Sequence, residues 1–453
     1  MQNLCYAILL IFVICTGNLS SAEYDQPAAE PASIAVVSQA SDSVMTLEAM
    51  FERIRETSPR VLIEREQVRR ALEESIRERA ALLPQVSLNA SQSRQQFGLG
   101  FAGDQFESAP FNTYNAKVQL TQTVFDTERY SNYHIARLEH AIAKMDFEVV
   151  YQDILENATN LYFRQLRDVS KKRIVEGNIL RSQELLKLTN DRFEAGNGVE
   201  IDVTRAKARL ASDERDLWIA KTNIQSSALQ LMALLDMDLD VELKLDESLI
   251  KHLKAPPSLE EYKILGDKFI ELRPELAVQK KRLAQAKLTY KAAKWQQIPS
   301  VELFGDWGYD ANEVFDANQN EVWLVGVQAS VPLFKGFRIQ AEKRNAAAYL
   351  RQQSYQMRVL EKEVERELKT ALFEMDSRYK EIELADMEIE FGHVEVRQAF
   401  LRYREGLSDN RELIDAHQRL ADAQDSYLNS AYLYALSRLA FARSIGTVEK
   451  VLD

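Results

Sequence analysis

The sequence is short of cysteine, histidine and glycine, and each shortage excludes a class of protein. Its two cysteines, Cys5 and Cys15, both lie within the first 15 residues, so no disulfide framework or thiol nucleophile follows them. The five histidines show no metal-ligand spacing, and no glycine-rich phosphate loop is present. Carboxylates are plentiful, but they fall on segments patterned as solvated coiled-coil faces. We therefore expect a protein that is not an enzyme and that has no cofactor and no metal.

An excess of basic charge is also missing. The formal net charge is -12, whereas a nucleic-acid partner requires a basic surface. Solubility is the simplest explanation of the acidic charge, and a lumen that repels anions is the alternative. We expect no nucleic-acid partner.

Long apolar runs are absent beyond the first residues. The stretch 4–15 has the length of a signal-peptide apolar core, and small residues at 20–22 suit the cleavage site. We expect a signal peptide over 1–22 and a flexible leader over 23–44. The large apolar residues before Cys15 argue against lipidation. No later stretch predicts a transmembrane helix, so entry into a membrane would require a closed β-barrel.

The chain contains an internal duplication. A helical pattern between two prolines is followed in both copies by alternating stretches, a long helical stretch, a turn glycine and a second helical stretch. The landmarks keep their order and their spacing to within one residue: Pro59, Pro84, Phe125 and Gly196 in the first copy, and Pro274, Pro299, Phe334 and Gly406 in the second.

Each copy predicts helix, strand, strand, long helix, turn and helix. We place the first repeat at 45–236, a linker at 237–257, the second repeat at 258–446 and a C-terminal tail at 447–453. The opening helices are predicted at 45–82 and 258–296. The other elements are strands at about 85–97, 112–124, 300–309 and 321–332, long helices at about 127–192 and 336–402, tips at about 193–199 and 403–411, and returning helices at about 200–235 and 410–445.

The predicted strands have one apolar and one polar face. Trp323, Val325 and Val327 alternate with more polar positions, as do Val86 and Leu88 in the first copy. This pattern and the strand length are typical of transmembrane β-strands. Four strands cannot close a barrel, so other copies of the chain would have to complete it. A soluble hairpin packed on the helices is the alternative, since its strands would alternate in the same way.

The helices that follow each tip carry a seven-residue apolar repeat, which indicates a left-handed coiled coil. Small residues follow three positions later and allow close helix approach. The apolar positions are Val203, Leu210, Leu217, Ile224 and Leu231, and Leu413, Leu420, Tyr427, Tyr434 and Phe441; the small ones are Ala206, Ala220 and Ser227, and Ala416, Ala423, Ser430 and Ser437.

Over about 45–446 the sequence resembles the TolC family of outer-membrane factors. The residues that carry the resemblance are Leu83-Pro84-Gln85, Ile298-Pro299, Val331-Pro332-Leu333-Phe334-Lys335-Gly336, Arg402-Tyr403-Arg404-Glu405-Gly406 and Glu412-Leu413-Ile414-Asp415-Ala416. The resemblance implies a mainly α protein with membrane β-structure: a homotrimer with a 12-stranded β-barrel in the lipid of the Gram-negative outer membrane, continued by a 12-helix α-barrel across the periplasm. It also implies passive export of small molecules or polypeptides, together with a periplasmic adaptor and an inner-membrane transporter.

The resemblance further implies roles for residues at the tips. Glu412 and Asp415 would line the entrance constriction, although one is Glu where the family's best-known member has Asp. As helix-start acids they could instead simply complement the helix dipole. Asp202 would contact Tyr403, and the family's basic lock residue is Ser408 here, with Arg404 or Arg411 as possible substitutes. The tips would dock the adaptor through Gly196, Asn197, Gly198, Gly406, Leu407 and Ser408.

Two other functions stay open at this point. A periplasmic adaptor would have one helical hairpin flanked by β-rich domains, not a duplicated unit with strands inside each copy. A soluble coiled-coil scaffold would need neither a signal peptide nor amphipathic strands. Cell fractionation separates the three.

Overall fold

The computed structural model describes residues 44–96, 98–101, 104–107, 109–247, 255–256, 273–312 and 320–450. The predicted signal peptide (1–22), nearly all of the leader (23–44), much of the linker (237–257) and the last residues of the tail (447–453) lie outside them. All elements below belong to the unit Val44–Asp453. None of the helices in the described part of the chain combines the length and the apolar character needed to cross a bilayer.

The elements follow the duplicated order. They are α1 (Leu47–Thr57), α2 (Pro59–Ala80), β1 (Gln85–Gln95), β2 (Gly98–Phe101), β3 (Asp104–Glu107), β4 (Phe111–Phe125), α3 (Thr127–Glu194), α4 (Glu200–Leu234), α5 (Pro274–Trp295), β5 (Ser300–Ala311), β6 (Asn320–Ser330), α6 (Arg338–Arg404), α7 (Asn410–Ser444) and a 3₁₀ turn (Val448–Lys450). The predicted mainly helical fold with four antiparallel strands, in a repeated helix-strand-strand-helix pattern, is confirmed.

The predicted opening helix of the first repeat is two helices. Ser58 has an extended backbone (φ -62°, ψ 120°) between α1 and α2, because proline disfavours a helical conformation in the residue before it. Pro59 then begins α2, where its missing N–H costs nothing. Arg273 and Pro274 repeat this arrangement at the start of α5. The part of the second opening helix predicted before residue 273 lies outside the described residues.

Four strands form one antiparallel sheet in the order β1-β4-β5-β6. The loop that the sequence predicts as irregular between the first two long strands contains the short antiparallel ribbon of β2 and β3. Gly308 on β5 lies so close to β4 that a Cβ there would stand 2.1 Å from the carbonyl oxygen of Ala116. Glycine at this position is therefore required by the close approach of the two strands.

The pairing register sorts the sheet into two faces. One row across all four strands is apolar: Leu88 pairs with Val118, Val118 with Trp307, and Trp307 with Trp323. The adjoining positions form a more polar face, on which Lys117 Nζ lies 3.1 Å from Asp310 Oδ1 and Asn89 Nδ2 donates to Gln119 Oε1 at 3.2 Å. An apolar face without a covering layer on one side and a polar face on the other is the pattern of a membrane barrel wall.

The long helices pack side by side as two hairpins. The order across the lower part is α4-α3-α7-α6, and nearer the sheet it is α2-α3-α5-α6. α3 has 68 residues, which at 1.5 Å per residue gives roughly 100 Å of helix. Of the heptad positions in α4, those predicted to be small are buried: Ala206, Ala220 and Ser227, joined by Asp213 in the same series.

The largest apolar core lies where α1 meets the middle of α3 and the ends of α4 and α7, with Met50, Ile54, Leu155, Tyr162 and Leu231 fully buried. Next to it, buried arginines join the two repeats. Arg443 of α7 contacts Asp153 of α3 and Glu275 of α5, each at 2.6 Å. Because a buried charge that loses its partner is costly, this network holds the relative placement of the two repeats.

Candidate functional site at the hairpin tips

Both hairpins end in the same backbone turn. Gly196 and Gly406 have φ of 74° and 76°, a left-handed conformation that glycine adopts without a Cβ penalty. The N–H of Asn197 donates to the Arg192 carbonyl at 2.9 Å, and the N–H of Leu407 donates to the Arg402 carbonyl at 2.8 Å. These bonds close a Schellman motif at each tip.

The residues after each glycine begin the returning helix. Asp409 caps α7 by accepting a hydrogen bond from the N–H of Glu412 at 3.3 Å, which satisfies one of the free donors of the first turn. Leu407 is 71% exposed at the end of the second tip. The Oγ atom of Ser408, by contrast, is buried and has no hydrogen-bond partner among the described residues.

Tyr403 joins the two hairpins from within. Its side chain is only 2% exposed, and its hydroxyl lies 3.3 Å from Thr189 Oγ1 of α3. The guanidinium of Arg192 lies over the Tyr403 ring at 4.7 Å from the centroid and also donates to the Tyr403 carbonyl. Arg192 therefore contributes both a cation-π contact and a charged hydrogen bond to the packing of one hairpin on the other.

A second link joins the starts of the returning helices. Asn410 is fully buried, and its Nδ2 donates to the backbone carbonyl of Asp202 at 2.7 Å. The Asp202 carboxylate lies 3.4 Å from Arg205 on its own helix. Among the described residues no hydrogen bond joins Asp202 to Tyr403; each of the two has other partners.

The cation between the hairpins is Arg192, and neither candidate from the sequence takes that place. Arg404 pairs with its neighbour Glu405 at 3.1 Å, and Arg411 lies 3.9 Å from Asp415. The sequence did contain a signal for Arg192, because it occupies the same repeat position as Arg402. Asn410 carried no signal beyond its place in the first turn of α7.

The two predicted entrance acids are exposed and are paired with arginines. The side chains of Glu412 and Asp415 are 41% and 53% exposed. Arg402 Nε lies 3.0 Å from Glu412 Oε1. Both acids lie in the first turns of α7, where a negative charge also suits the helix dipole.

A buried polar layer lies above the tips, and pattern reasoning did not identify it. The Asp213 carboxylate accepts a hydrogen bond from Ser182 and lies 2.9 Å from Arg209. His417 of α7 is 9% exposed, and its Nδ1 atom has no partner among the described residues. Burial lowers the pKa of His417 to about 4, with smaller contributions from the charges of Arg181 and Arg209. This imidazole is therefore neutral at ordinary pH.

Comparison with known proteins adds a family. The family model for "Outer membrane efflux protein" matches residues 50–236 and 265–447. The pyoverdine export outer membrane protein OpmQ of Pseudomonas aeruginosa is 23% identical over 286 residues, 62% of this chain and 60% of that protein. The outer membrane protein TolC of Vibrio cholerae is 22% identical over 299 residues, 64% of this chain and 65% of that protein. The chain thus spans less than two thirds of the length of these curated relatives.

Solved structures share the fold. VceC of Vibrio cholerae superposes with a TM-score of 0.77 at 18% identity, covering 88% of this chain and 96% of VceC. The CmeC outer membrane channel of Campylobacter jejuni superposes with a TM-score of 0.76 at 16% identity, covering 89% of this chain and 86% of CmeC.

Proposed function

Because the chain belongs to the outer membrane efflux protein family, a family of channels rather than enzymes, we propose that it is the outer-membrane exit duct of an efflux or secretion system. Three copies would form the duct, with 3 × 4 strands in the outer membrane and 3 × 4 helices across the periplasm. Small molecules or polypeptides would pass through it passively. An inner-membrane transporter and a periplasmic adaptor would supply them.

The observation that carries this proposal is that the protomer has two open edges along its whole length. Among the described strands, β1 and β6 each pair on one side only. The helices at the corresponding edges are α4 and α6 in the lower part and α2 and α6 near the sheet. Unpaired strand edges are not viable in lipid, where no water satisfies the backbone. A ring of copies pairs every edge with the opposite edge of its neighbour.

The exposed side chains on the two edges match in height. On α4, the apolar residues Ile201, Trp218 and Leu229 lie 5, 22 and 33 residues beyond Gly196. On α6, Leu401, Leu384 and Phe373 lie 5, 22 and 33 residues before Gly406. At 1.5 Å per residue these pairs stand at about 7, 33 and 50 Å above the tips. Two stripes that coincide in this way suit a joint between neighbouring copies.

Size complementarity supports the same joint. Phe391 and Val394 are exposed on α6, and the positions at equal height on α4 are the exposed small residues Ala211 and Ala208. Nearer the sheet, an apolar groove of about 560 Å³ on α6 contains Tyr355 and Val359. The exposed Leu62 and Ile63 of α2 lie on the opposite edge and are of the right kind to fill it.

The tips would form the periplasmic entrance. In this arrangement Glu412 and Asp415 line the constriction, while Tyr403 and the Asp202 backbone belong to the contacts that keep the hairpins together. The turn residues Gly196–Gly198 and Gly406–Ser408 would meet the adaptor. The exposed Leu407 offers that partner an apolar contact.

The test is the mass and location of the native protein. We expect detergent extracts of isolated outer membranes to contain the chain as a trimer. A protein found in the soluble fraction or in the inner membrane would contradict the duct. It would then point to a coiled-coil scaffold or to a periplasmic adaptor.

A further inference from the structure

Arginines accompany the acids of the second tip. Arg402, at the end of α6, reaches across the turn to Glu412 on α7 at 3.0 Å. Arg411 lies 3.9 Å from Asp415, one helical turn further along α7. The next arginine, Arg419, is engaged by Glu395 of α6, with Nε 3.0 Å from a carboxylate oxygen. Each entrance acid therefore has one arginine of its own.

The pairing changes the electric field of a three-copy entrance. Three copies bring six carboxylates from Glu412 and Asp415, and the same three copies bring six guanidinium groups from Arg402 and Arg411. The formal charges cancel. Both pairs are closer than the Debye length of about 8 Å at physiological ionic strength, so an approaching ion meets dipoles rather than a ring of bare negative charges. A ring of bare carboxylates would favour cations and hold back anions.

The contribution of these arginines is to the field rather than to the fold. All four side chains are between 41% and 73% exposed, and exposed ion pairs contribute little to stability. Replacing the arginines therefore leaves the tip folded and uncovers the acids. This makes the effect on ion passage separable from an effect on structure.

We propose that Arg402 and Arg411 determine the charge specificity of the entrance, by neutralising Glu412 and Asp415 so that anionic cargo passes as readily as cationic cargo. This inference rests on the proposed function, in which the second tip lines the entrance. It assigns to the duct a cargo class that a ring of unpaired acids would exclude.

The experiment is the reversal potential of single channels in planar bilayers under a KCl gradient. We expect the wild-type trimer to discriminate weakly between K⁺ and Cl⁻. R402Q/R411Q should raise the preference for K⁺ roughly tenfold, as expected for a focused field in a narrow passage, and it should make block by divalent cations tighter. E412Q/D415N should shift the preference in the opposite direction, toward Cl⁻.

The matched control is R404Q. Arg404 is an arginine of the same helix end, 54% exposed, and its partner is the adjacent Glu405, so its loss should leave the reversal potential unchanged. If E412Q/D415N shifts the potential and R402Q/R411Q does not, the role of the arginines is contradicted while the entrance stands. If neither double variant shifts it, the placement of the entrance is wrong, and with it this inference.

Discussion

Arg192 and Arg402 occupy the same position in the two repeats and have different partners. Arg402 reaches its own returning helix at Glu412. Arg192 instead reaches the other hairpin, where it covers Tyr403. A duplicated side chain has thus separated into a residue facing the entrance and a residue holding the hairpins together.

Loss of Arg192 should loosen the closed tip. R192Q removes a cation-π contact and a charged hydrogen bond, which together are worth roughly 2 kcal/mol in a partly buried site. We expect a higher open probability and a larger mean single-channel conductance than in the wild type. R192K should restore part of the effect, because it keeps the charge but not the planar stacking. Conductance equal to that of R404Q would contradict this role.

His417 should make the hairpin packing sensitive to acid. Its pKa in the folded protein is about 4, against 6.5 for a free imidazole. The unfolded chain therefore binds a proton that the folded chain refuses, so stability falls as pH drops below 6.5 and levels off near 4. The loss is roughly 3 kcal/mol per copy. The facing groups are Arg181 of α3 and Arg209 and Asp213 of α4.

The measurement is the unfolding temperature of the detergent-solubilised protein between pH 8 and pH 4. H417Q should flatten the acid side of the curve. H393Q, at an exposed position of α6, is the matched control and should leave it unchanged. A wild-type curve that is flat over this range would contradict the burial of a neutral imidazole.

Individual partners at the tip could not be predicted from the sequence. Spacing from the turn glycines placed Tyr403, Asp202, Glu412 and Asp415 near one another, because the duplication fixes the helix heights. Whether Tyr403 meets a carboxylate or a guanidinium depends on helix rotation of a few tens of degrees. That rotation is set by packing across the whole hairpin, including the buried Asp213 layer, and no local pattern reports it.

At the scale of elements, the periodicities predicted most of what is present. Alternation identified the four long strands, and the heptads identified the pairing faces of α4 and α7. The break at Ser58 followed from the proline after it. The ribbon of β2 and β3 could not be predicted, since its short strands lack the length over which alternation becomes distinct from loop sequence.

The close approach of β4 and β5 gives a sharp test of the sheet. G308A places a Cβ against the Ala116 carbonyl and should destabilise the sheet by about 1–3 kcal/mol, the usual cost of overpacking. G305A, on the same strand, meets its nearest atom at 3.5 Å and should be tolerated. Heat-dependent dissociation of the trimer on gels measures the difference. Equal behaviour of the two variants would contradict the strand spacing.

At the scale of the whole molecule, the matched stripes of α4 and α6 predict how copies join. Trp218 is 70% exposed in the protomer, and W218E would place a carboxylate in the proposed joint opposite Leu384. We expect the trimer to be weakened at least tenfold in dissociation constant, since burying an unpaired charge costs more than 1.4 kcal/mol. Adding L384K should restore the trimer by pairing the charges.

The control for this variant is L180E. Leu180 is an equally exposed apolar residue, but it lies on α3, which is flanked by other helices of its own chain. L180E should leave the native mass unchanged. If W218E also leaves it unchanged, the joint lies elsewhere on the surface.

The open edges of β1 and β6 also set the order of events in biogenesis. A single protomer inserted alone would expose two rows of unpaired backbone N–H and C=O groups to hydrocarbon, each costing several kcal/mol. The three chains must therefore associate before insertion or insert together, and no stable one-chain or two-chain state in the bilayer precedes the finished duct. A copy with a defective β6 would leave its two sound partners unable to close, so one damaged allele would disable assemblies built mostly from intact chains.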